Sequence, residues 1–217
     1  MDIAANVAAV RGRIAAAAAR AGRDAGSVQL IAVAKTKPAE LVREAVAAGV
    51  GDIGENYVQE ALAKRAAVAG AARWHLIGHL QRNKAARALE LFDLIHTIDG
   101  AALGETVARH AAERGTPARV LIEVNLGGEA SKHGVAPGAL PELLARLRDP
   151  HLSVEGLMAV PPPEPPAAAR SYFRQLRALR DDTGLRELSM GMSDDFEIAI
   201  EEGATMVRVG RAIFGAR

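Results

Sequence analysis

The sequence predicts an α/β protein in which eight parallel strands close into a (β/α)8 barrel, with an extra helix at the N-terminus. Eight short β-branched runs alternate with helical patterns along 217 residues, and parallel strands joined through helices require right-handed crossovers. Glycine and polar residues gather after these runs, whereas the turns that enter them carry mostly helix-stopping glycines. No linker or change in composition divides the chain, so we expect one domain spanning residues 1–217.

The elements follow one another regularly. The N-terminal helix carries one apolar stripe, formed by Ile3, Val7, Val10 and Ile14. The first strand, QLIAVAKT (29–36), is followed by Pro38 and a helical pattern that ends at Gly49. The other strands are predicted in GDIGEN (51–56), RWHLIG (73–78), LIHTID (94–99), RVLIEVNL (119–126), LSVEGLMAV (152–160), ELSMGM (187–192) and TMVRVG (205–210).

An open, doubly wound sheet is the alternative arrangement of the same elements. In such folds the first strand commonly runs into a glycine-rich phosphate-binding turn of the form G-x-G-x-x-G. Here it runs into AKTKP. The sequence therefore favours the closed barrel.

Composition and charge exclude several functional classes. The chain has 27 Lys and Arg against 26 Asp and Glu, and 3% aromatic residues, so we expect no binding of nucleic acid. Cysteine is absent, which excludes disulfides and thiolate chemistry and fits a reducing compartment, so we expect a cytoplasmic protein. The N-terminal segment lacks an apolar core long enough for a signal peptide or a membrane span.

The histidines do not predict a metal site. The six of them are scattered along the chain. His75 and His79 lie across a strand end and not on one face of a helix, which is the arrangement that typical metal motifs use. We therefore expect no metal ligands.

Lys35 is the candidate nucleophile. Alternation along the first strand puts Ile31, Val33 and Lys35 on one face, with small residues on the face that helices cover. Lys35 then points into the barrel, where desolvation favours the neutral amine that attacks an aldehyde. A surface lysine or a cation that binds phosphate is the alternative interpretation.

Two loops are candidates for a phosphate site, because such barrels often bind phosphate with the loops after strands seven and eight. Ser193 follows the seventh strand and opens a helical pattern, so its hydroxyl is expected to cap that helix, to bind phosphate, or to do both. Gly210 and Arg211 follow the eighth strand and combine an uncrowded backbone with a cation.

Arg208 is the candidate buried cation. It lies between Val207 and Val209 on the eighth strand, so it enters the barrel if the valines face the helices. A buried arginine needs a partner. Glu123 or Glu155 on a neighbouring strand is one candidate, and an acceptor atom of a bound ligand is the other.

With these residues assembled, the sequence resembles the pyridoxal phosphate homeostasis protein family, also called the proline synthetase co-transcribed homologue family. The resemblance extends from about Leu30 to Ala216. The motifs that carry it occur in the same order as in the family: IAVAKTKP, DIGENYVQE, WHLIGHLQRNK, HTID, VNLGGEASKHG, GLMAV, LSMGMSDD and MVRVGRAIFG.

The resemblance implies a barrel related to the N-terminal domain of alanine racemase, with pyridoxal 5'-phosphate held as a Schiff base on Lys35. It implies no established reaction. The cofactor-binding residues that it implies are Lys35, Asn56, Met192, Ser193, Arg208, Gly210 and Arg211.

Within this set the resemblance assigns the phosphate to Ser193 and to the backbone of Gly210 and Arg211. Many relatives have a small hydroxyl residue in place of Arg211, so the backbone N–H is the expected contact there. Arg208 would face the pyridine nitrogen and disfavour its protonation, which weakens the ring as an electron sink. Racemisation also needs a second proton donor, usually a tyrosine of a second domain, and we expect no such domain here.

We therefore expect a protein that stores, buffers or delivers pyridoxal phosphate. Apo-enzymes that depend on this cofactor are the expected partners, and the chain is expected to be a monomer that binds no membrane. Lys132, in the loop after the fifth strand, is expected to take part in cofactor release. The alternatives are a weak amino-acid racemase or Schiff-base lyase, and a barrel that binds phosphate without the cofactor.

Overall fold

The computed structural model describes residues 1–68, 72–129, 133–163 and 165–216. In this part of the chain the strands are β1 (Gln29–Val33), β2 (Asp52–Glu55), β3 (Arg73–Leu76), β4 (Leu94–Ile98), β5 (Ala118–Glu123), β6 (Leu152–Met158), β7 (Glu187–Ser189) and β8 (Met206–Val209). They are parallel and form a closed barrel in chain order, in which Ile31 of β1 pairs with Arg208 of β8. The predicted closed barrel is confirmed, and the open doubly wound alternative is wrong.

Helices follow the strands and cover the outside of the barrel. Each strand is followed by the helix whose number is one higher. The helices in the described ranges are α1 (Ile3–Arg20), α2 (Ala39–Ala47), α3 (Val58–Arg65), α4 (Ala85–Leu91), α5 (Ala101–Arg114), α6 (Leu140–Arg146), α7 (Ala169–Thr183), α8 (Phe196–Glu201) and α9 (Arg211–Phe214).

The additional helix α1 is confirmed. It begins after Asp2, whose side chain accepts a hydrogen bond from the Ala5 N–H at 2.9 Å. The predicted apolar stripe is buried along its whole length: Ile3, Val7, Val10 and Ile14. The helix packs against α2, α8 and α9, and Arg13 forms a salt bridge with Glu197 of α8.

Side-chain alternation along the strands separates two apolar cores. Inside the barrel lies a small cluster formed by Ile31, Leu94, Leu121, Met158 and Met206. A larger core lies between the strands and the helices, and it includes Ala32, Val207 and Val209, all fully buried. Burying apolar surface stabilises a fold by about 25 cal/mol per Å², so this outer core is the main source of stability.

The first strand ends earlier than the sequence predicts. The prediction extends it to Thr36, whereas β1 ends at Val33. Thr36 has a φ of 63°, in the left-handed region that non-glycine residues rarely adopt. The Lys37 N–H donates to the Ala34 carbonyl oxygen at 3.0 Å and closes a turn. Lys35 is therefore a loop residue at the carboxyl end of the strand.

None of the helices in the described ranges has both the length and the apolar character that crossing a membrane requires. The cytoplasmic location, the single domain and the monomeric state stay predictions.

Candidate cofactor site

A cavity of about 590 Å³ opens at the carboxyl ends of the strands. This volume falls within the range of small-molecule binding sites. The structure brings all the predicted binding residues to its wall: Lys35, Asn56, Met192, Ser193, Arg208, Gly210 and Arg211. Most of them lie on or just after β1, β7 and β8, while Asn56 follows β2, and Ile77 and Val160 extend the lining to the ends of β3 and β6.

The loop that carries Lys35 is held by side chains of α3. The Thr36 N–H donates to Glu60 Oε2 at 2.8 Å, and Lys64 Nζ donates to the same oxygen at 3.0 Å. Lys64 also donates to the Ala34 carbonyl oxygen at 2.7 Å. These bonds hold the backbone on either side of Lys35 in place, including the strained conformation of Thr36.

Lys64 also contacts a buried carboxyl group. Its Nζ donates to Glu55 Oε1 at 2.7 Å, while Glu55 Oε2 has no hydrogen-bond partner among the described residues. Burial raises the pKa of Glu55 from 4.5 to about 7, against the lowering effect of the Lys64 ammonium. Sequence reasoning missed this cluster, although the i, i+4 spacing of Glu60 and Lys64 is a helical ion-pair signal.

Arg208 lies inside the barrel, as its alternation with two valines predicts, and it is 4% exposed. Its Nη1 donates to the carbonyl oxygen and the Oγ of Ser189 at 2.7 and 2.6 Å, and Nη2 donates to the Ala159 carbonyl oxygen at 2.9 Å. Burial lowers the pKa of the guanidinium to about 10, and the charges of Glu123 and Asp195 oppose this shift. Arg208 therefore stays charged at neutral pH.

Backbone and hydroxyl oxygens thus replace the carboxylate partner that the sequence suggests for Arg208. Glu155 instead accepts two hydrogen bonds from Arg119 at 2.6 and 2.8 Å, so that candidate is wrong. The pairing of β5 with β6 shifts register around Glu155, and such a bulge redirects a side chain. Glu123 influences Arg208 through its charge.

A chain of hydrogen bonds continues from Ser189 across the barrel interior. Ser189 Oγ lies 2.9 Å from Nδ1 of His96, and His96 Nε2 lies 3.0 Å from Nδ1 of His75. His75 Nε2 lies 3.0 Å from Asp52 Oδ1. Burial lowers the pKa of His96 well below its usual range, so its imidazole is neutral at physiological pH. The chain links the buried Arg208 cation to the Asp52 carboxylate.

Sequence reasoning missed this buried chain. A usable signal was present on β3, where Trp74 and Leu76 are apolar residues that flank His75. Both belong to the outer core, so alternation turns His75 inward.

The loops after β7 and β8 meet where the sequence predicts a phosphate site. Ser193 Oγ accepts a hydrogen bond from the Ala212 N–H at 3.3 Å, which joins the two loops. The Arg211 guanidinium pairs with Asp194, and both side chains are about 60% exposed. The hydroxyl of Ser193 therefore lies beside the backbone N–H of Ala212, while the Arg211 side chain is paired with Asp194 at the surface.

Ser193 does not cap α8. The N-cap residue of that helix is Asp195, whose Oδ1 accepts a hydrogen bond from the Met192 N–H at 2.6 Å. The capping interpretation of Ser193 is wrong because the helix begins later, at Phe196. Met192 lies at the mouth of the cavity with 41% of its surface exposed.

Asn56 is held at the cavity wall by a close approach of two loops. A Cβ atom on Gly78, which follows β3, would lie 2.4 Å from the Asn56 carbonyl oxygen. Only glycine permits this contact, because real Cβ atoms do not approach a backbone atom so closely. Lys132, the residue that the sequence connects with release, lies outside the described residues.

Comparison with known proteins identifies the class of barrel. The family model of the N-terminal domain of alanine racemase matches residues 5–217. The structure is similar to that of an unknown protein from Bifidobacterium adolescentis, with a TM-score of 0.92 and 39% identity over 98% of this chain and 94% of that chain. PipY of Synechococcus elongatus, solved with pyridoxal phosphate bound, has a TM-score of 0.86 and 39% identity over 98% of this chain and 100% of that chain. The fold is therefore that of an alanine racemase-like barrel.

Curated relatives narrow this class to one family. A pyridoxal phosphate homeostasis protein of Pseudomonas aeruginosa is 49% identical over 220 aligned positions, which cover 99% of this chain and 96% of that protein. One from Escherichia coli is 43% identical over 100% of this chain and 97% of that protein. The chain belongs to the pyridoxal phosphate homeostasis protein family, and the resemblance drawn from the motifs is confirmed.

Proposed function

We propose that this protein binds pyridoxal 5'-phosphate through Lys35 and stores, buffers or delivers it, without catalysing a reaction of its own. The observation that carries the proposal is one cavity whose wall combines Lys35, Arg208 and the two loops after β7 and β8. The cofactor bound in PipY supports the choice of ligand. The names of the relatives from P. aeruginosa and E. coli support the role in homeostasis.

The donor groups of the cavity suit this cofactor. Pyridoxal phosphate supplies an aldehyde carbon and an electron-withdrawing ring, together with a phosphate that needs hydrogen-bond donors. Lys35 offers an amine, and the Ser193 hydroxyl and the backbone N–H of Arg211 offer donors for phosphate. A Cβ atom on Gly210 would lie 3.3 Å from the Val33 carbonyl oxygen, so glycine lets the β8 loop lie close against β1.

Lys35 would hold the cofactor covalently. Its amine nitrogen adds to the aldehyde carbon and the carbonyl oxygen leaves as water, so a C=N bond replaces the C=O bond. Lys37 lines the same cavity, and its Nζ donates to the carbonyl oxygens of Gly215 and Ala216 at 3.3 and 2.9 Å. The resemblance of the motif IAVAKTKP to that of the family supports Lys35 over Lys37.

Arg208 is the reason to propose binding and not catalysis. The guanidinium stays charged and is fixed by three hydrogen bonds to protein oxygens. A cation opposite the pyridine nitrogen would disfavour protonation of that nitrogen. An unprotonated ring withdraws electrons poorly, so carbanion chemistry at a bound amino acid would be slow.

Visible absorption spectroscopy and borohydride reduction test the binding proposal. We expect the purified protein to show the absorbance of a lysine Schiff base, and reduction followed by peptide mass mapping to find the cofactor on Lys35. Lys35→Ala should lose the label, and Lys37→Ala, the matched control from the same cavity wall, should keep it. No absorbance after incubation with excess pyridoxal phosphate, or a label on another lysine, would overturn the proposal.

Transfer to a cofactor-dependent apo-enzyme separates delivery from storage. The apo-enzyme is mixed either with the loaded protein or with free pyridoxal phosphate at the same concentration, and recovery of its activity is followed in time. Faster recovery with the loaded protein would support delivery. Recovery no faster than with free cofactor would support storage or buffering.

A further inference from the structure

Three side chains converge beyond the carboxyl ends of β3, β4 and β5, and none of them lines the cavity that contains Lys35. His79 follows β3, Asp99 follows β4, and His133 lies in the loop between β5 and α6. Asp99 Oδ2 lies 3.2 Å from His79 Nδ1 and 3.6 Å from His133 Nδ1. The two imidazole rings stack with centroids 3.7 Å apart and planes at 11°. Both rings turn the same nitrogen toward one carboxylate oxygen, and because an imidazole binds a metal ion in the plane of its ring, one of the two stacked rings has to rotate before both can bind one ion.

Hydrogen bonding explains only part of this geometry. The 3.2 Å contact of His79 with Asp99 is within the range of a hydrogen bond, but the 3.6 Å contact of His133 is too long for one. Zinc binds imidazole nitrogen and carboxylate oxygen at about 2.0 Å, and tetrahedral angles then separate the donor atoms by about 3.3 Å. The two distances from Asp99 Oδ2 to the histidine nitrogens, 3.2 and 3.6 Å, lie on either side of that value. The donor atoms of all three residues lie within 4.8 Å of one another.

The surroundings favour a cation. Asp99 and Glu123 act on each other electrostatically as like charges, and His133 also acts on Glu123. Glu123 Oε2 is buried and has no hydrogen-bond partner among the described residues. A positive ion between the imidazoles and Asp99 would reduce this repulsion of carboxylates. The side chains of His79 and His133 are 39% and 54% exposed, so both imidazoles are in contact with solvent.

We propose that His79, Asp99 and His133 bind a divalent transition-metal ion of the zinc type. Two imidazoles and one carboxylate are ligands that this class of ion prefers, and water would complete the coordination. The expectation of no metal site considered His75 and His79, whereas the ligands are His79 and a histidine from a distant loop. The site follows β3, β4 and β5 and does not rest on cofactor binding at Lys35.

Cobalt binding tests this proposal. Untagged protein is titrated with Co²⁺ in buffer without free pyridoxal phosphate, the visible ligand-field bands are recorded, and Zn²⁺ is then added as a competitor. We expect one Co²⁺ per chain and displacement by Zn²⁺. His79→Asn, Asp99→Asn and His133→Asn should each weaken binding by ~10-fold or more.

His110→Asn is the matched control. His110 also lies beside a carboxylate, with Nδ1 at 2.7 Å from Glu113 Oε2, but this surface pair contains one imidazole. The control variant should bind Co²⁺ as the wild type does. Circular dichroism and thermal unfolding verify that each variant is folded, which the exposure of His79 and His133 favours.

Two results would overturn the metal site. One is a wild type that binds no Co²⁺ at millimolar concentration, and the other is a ligand variant that binds it as tightly as His110→Asn does. Reduction with borohydride on the same preparations keeps the two proposals apart. A missing label on Lys35 together with intact Co²⁺ binding would refute the proposed function alone.

Discussion

Ser189 Oγ lies 2.6 Å from Nη1 of Arg208 and so accepts a hydrogen bond from a side chain that can only donate. In the described part of the chain, His96 Nδ1, at 2.9 Å, is the acceptor within reach of the Ser189 O–H. The proton of His96 is then on Nε2, which donates to His75 Nδ1. His75 Nε2 donates in turn to Asp52. The hydrogen bond from Arg208 to Ser189 therefore determines which nitrogen carries the proton in each of the two buried imidazoles, His96 and His75.

Ser189→Ala should break this chain at its centre. His96 loses its Nδ1 partner and Arg208 loses one of its acceptors, so the free energy of unfolding should fall by about 1–3 kcal/mol. Urea denaturation measures the change, and ¹⁵N NMR of the wild type should show His96 protonated on Nε2. Ser171→Ala removes an exposed hydroxyl that donates to the Ala168 carbonyl oxygen, and should change stability by less than ~0.5 kcal/mol. Equal effects of the two substitutions would contradict the prediction.

The carboxyl group of Glu55 should titrate near neutral pH. Its folded-state pKa is about 7, raised by burial above the ordinary 4.5. Its contribution to the free energy of unfolding is therefore fully present below about pH 4.5 and is lost as the pH rises to about 7. Carboxyl ¹³C NMR, assigned with Glu55→Gln, measures the midpoint. The exposed Glu113, whose pKa is lowered by the hydrogen bond from His110, is the internal control. A Glu55 midpoint at 4.5 or below would contradict the prediction that burial raises its pKa.

Gly78→Ala should destabilise the protein and weaken cofactor binding. The new Cβ would meet the Asn56 backbone at 2.4 Å, and overpacking of this kind costs about 1–3 kcal/mol. Gly12→Ala is the matched control, because Gly12 lies on the exposed face of α1 with no atom within 4 Å of its Cβ position. That substitution should raise stability by about 0.5–1 kcal/mol, since alanine favours a helix. Thermal unfolding should give shifts of opposite sign, and shifts of the same sign would refute the argument.

Ser193→Ala should weaken pyridoxal phosphate binding more than Arg211→Ala does. Ser193 Oγ lies next to the Ala212 N–H, whereas the Arg211 side chain is exposed and paired with Asp194. Loss of one hydrogen bond to a charged group corresponds to about 1.5–3 kcal/mol, or roughly 10- to 150-fold in affinity. Absorbance titration with the cofactor measures both variants. A larger loss with Arg211→Ala would assign the phosphate to that side chain.

The wild type should not exchange the α-protons of amino acids faster than free pyridoxal phosphate does. The fixed Arg208 cation would keep the pyridine nitrogen unprotonated, which removes the driving force for carbanion formation. Proton NMR in deuterium oxide measures this exchange. Exchange that is rapid in the wild type and absent in Lys35→Ala would instead establish the racemase or lyase alternative.

Local patterns were sufficient to predict the strands and the direction of several side chains. The order of the barrel follows from eight alternating units, and the inward direction of Arg208 follows from Val207 and Val209 on either side of it. These features depend on periodicity, which a single sequence displays. The turn at Thr36 was not predictable in this way, because its left-handed φ is held by Glu60 from the next helix.

Contacts between loops also could not be predicted from local patterns in the sequence. His79 and His133 stack although they follow different strands, and the local pattern around each residue is that of an ordinary polar loop. The same holds for Lys64, which reaches back to the Ala34 carbonyl oxygen. Such pairs are set by how the barrel closes, so they become visible only after folding.

The packing of α1 has a consequence for the nascent chain while it is being synthesised. Its buried stripe belongs to the beginning of the chain, yet it packs against α8 and α9, which lie at residues 196–214. While the ribosome makes the intervening barrel, this part of the stripe is an apolar surface without its final cover. A nascent chain stopped before residue 196 should therefore expose the stripe and be a better substrate for chaperones than the finished barrel.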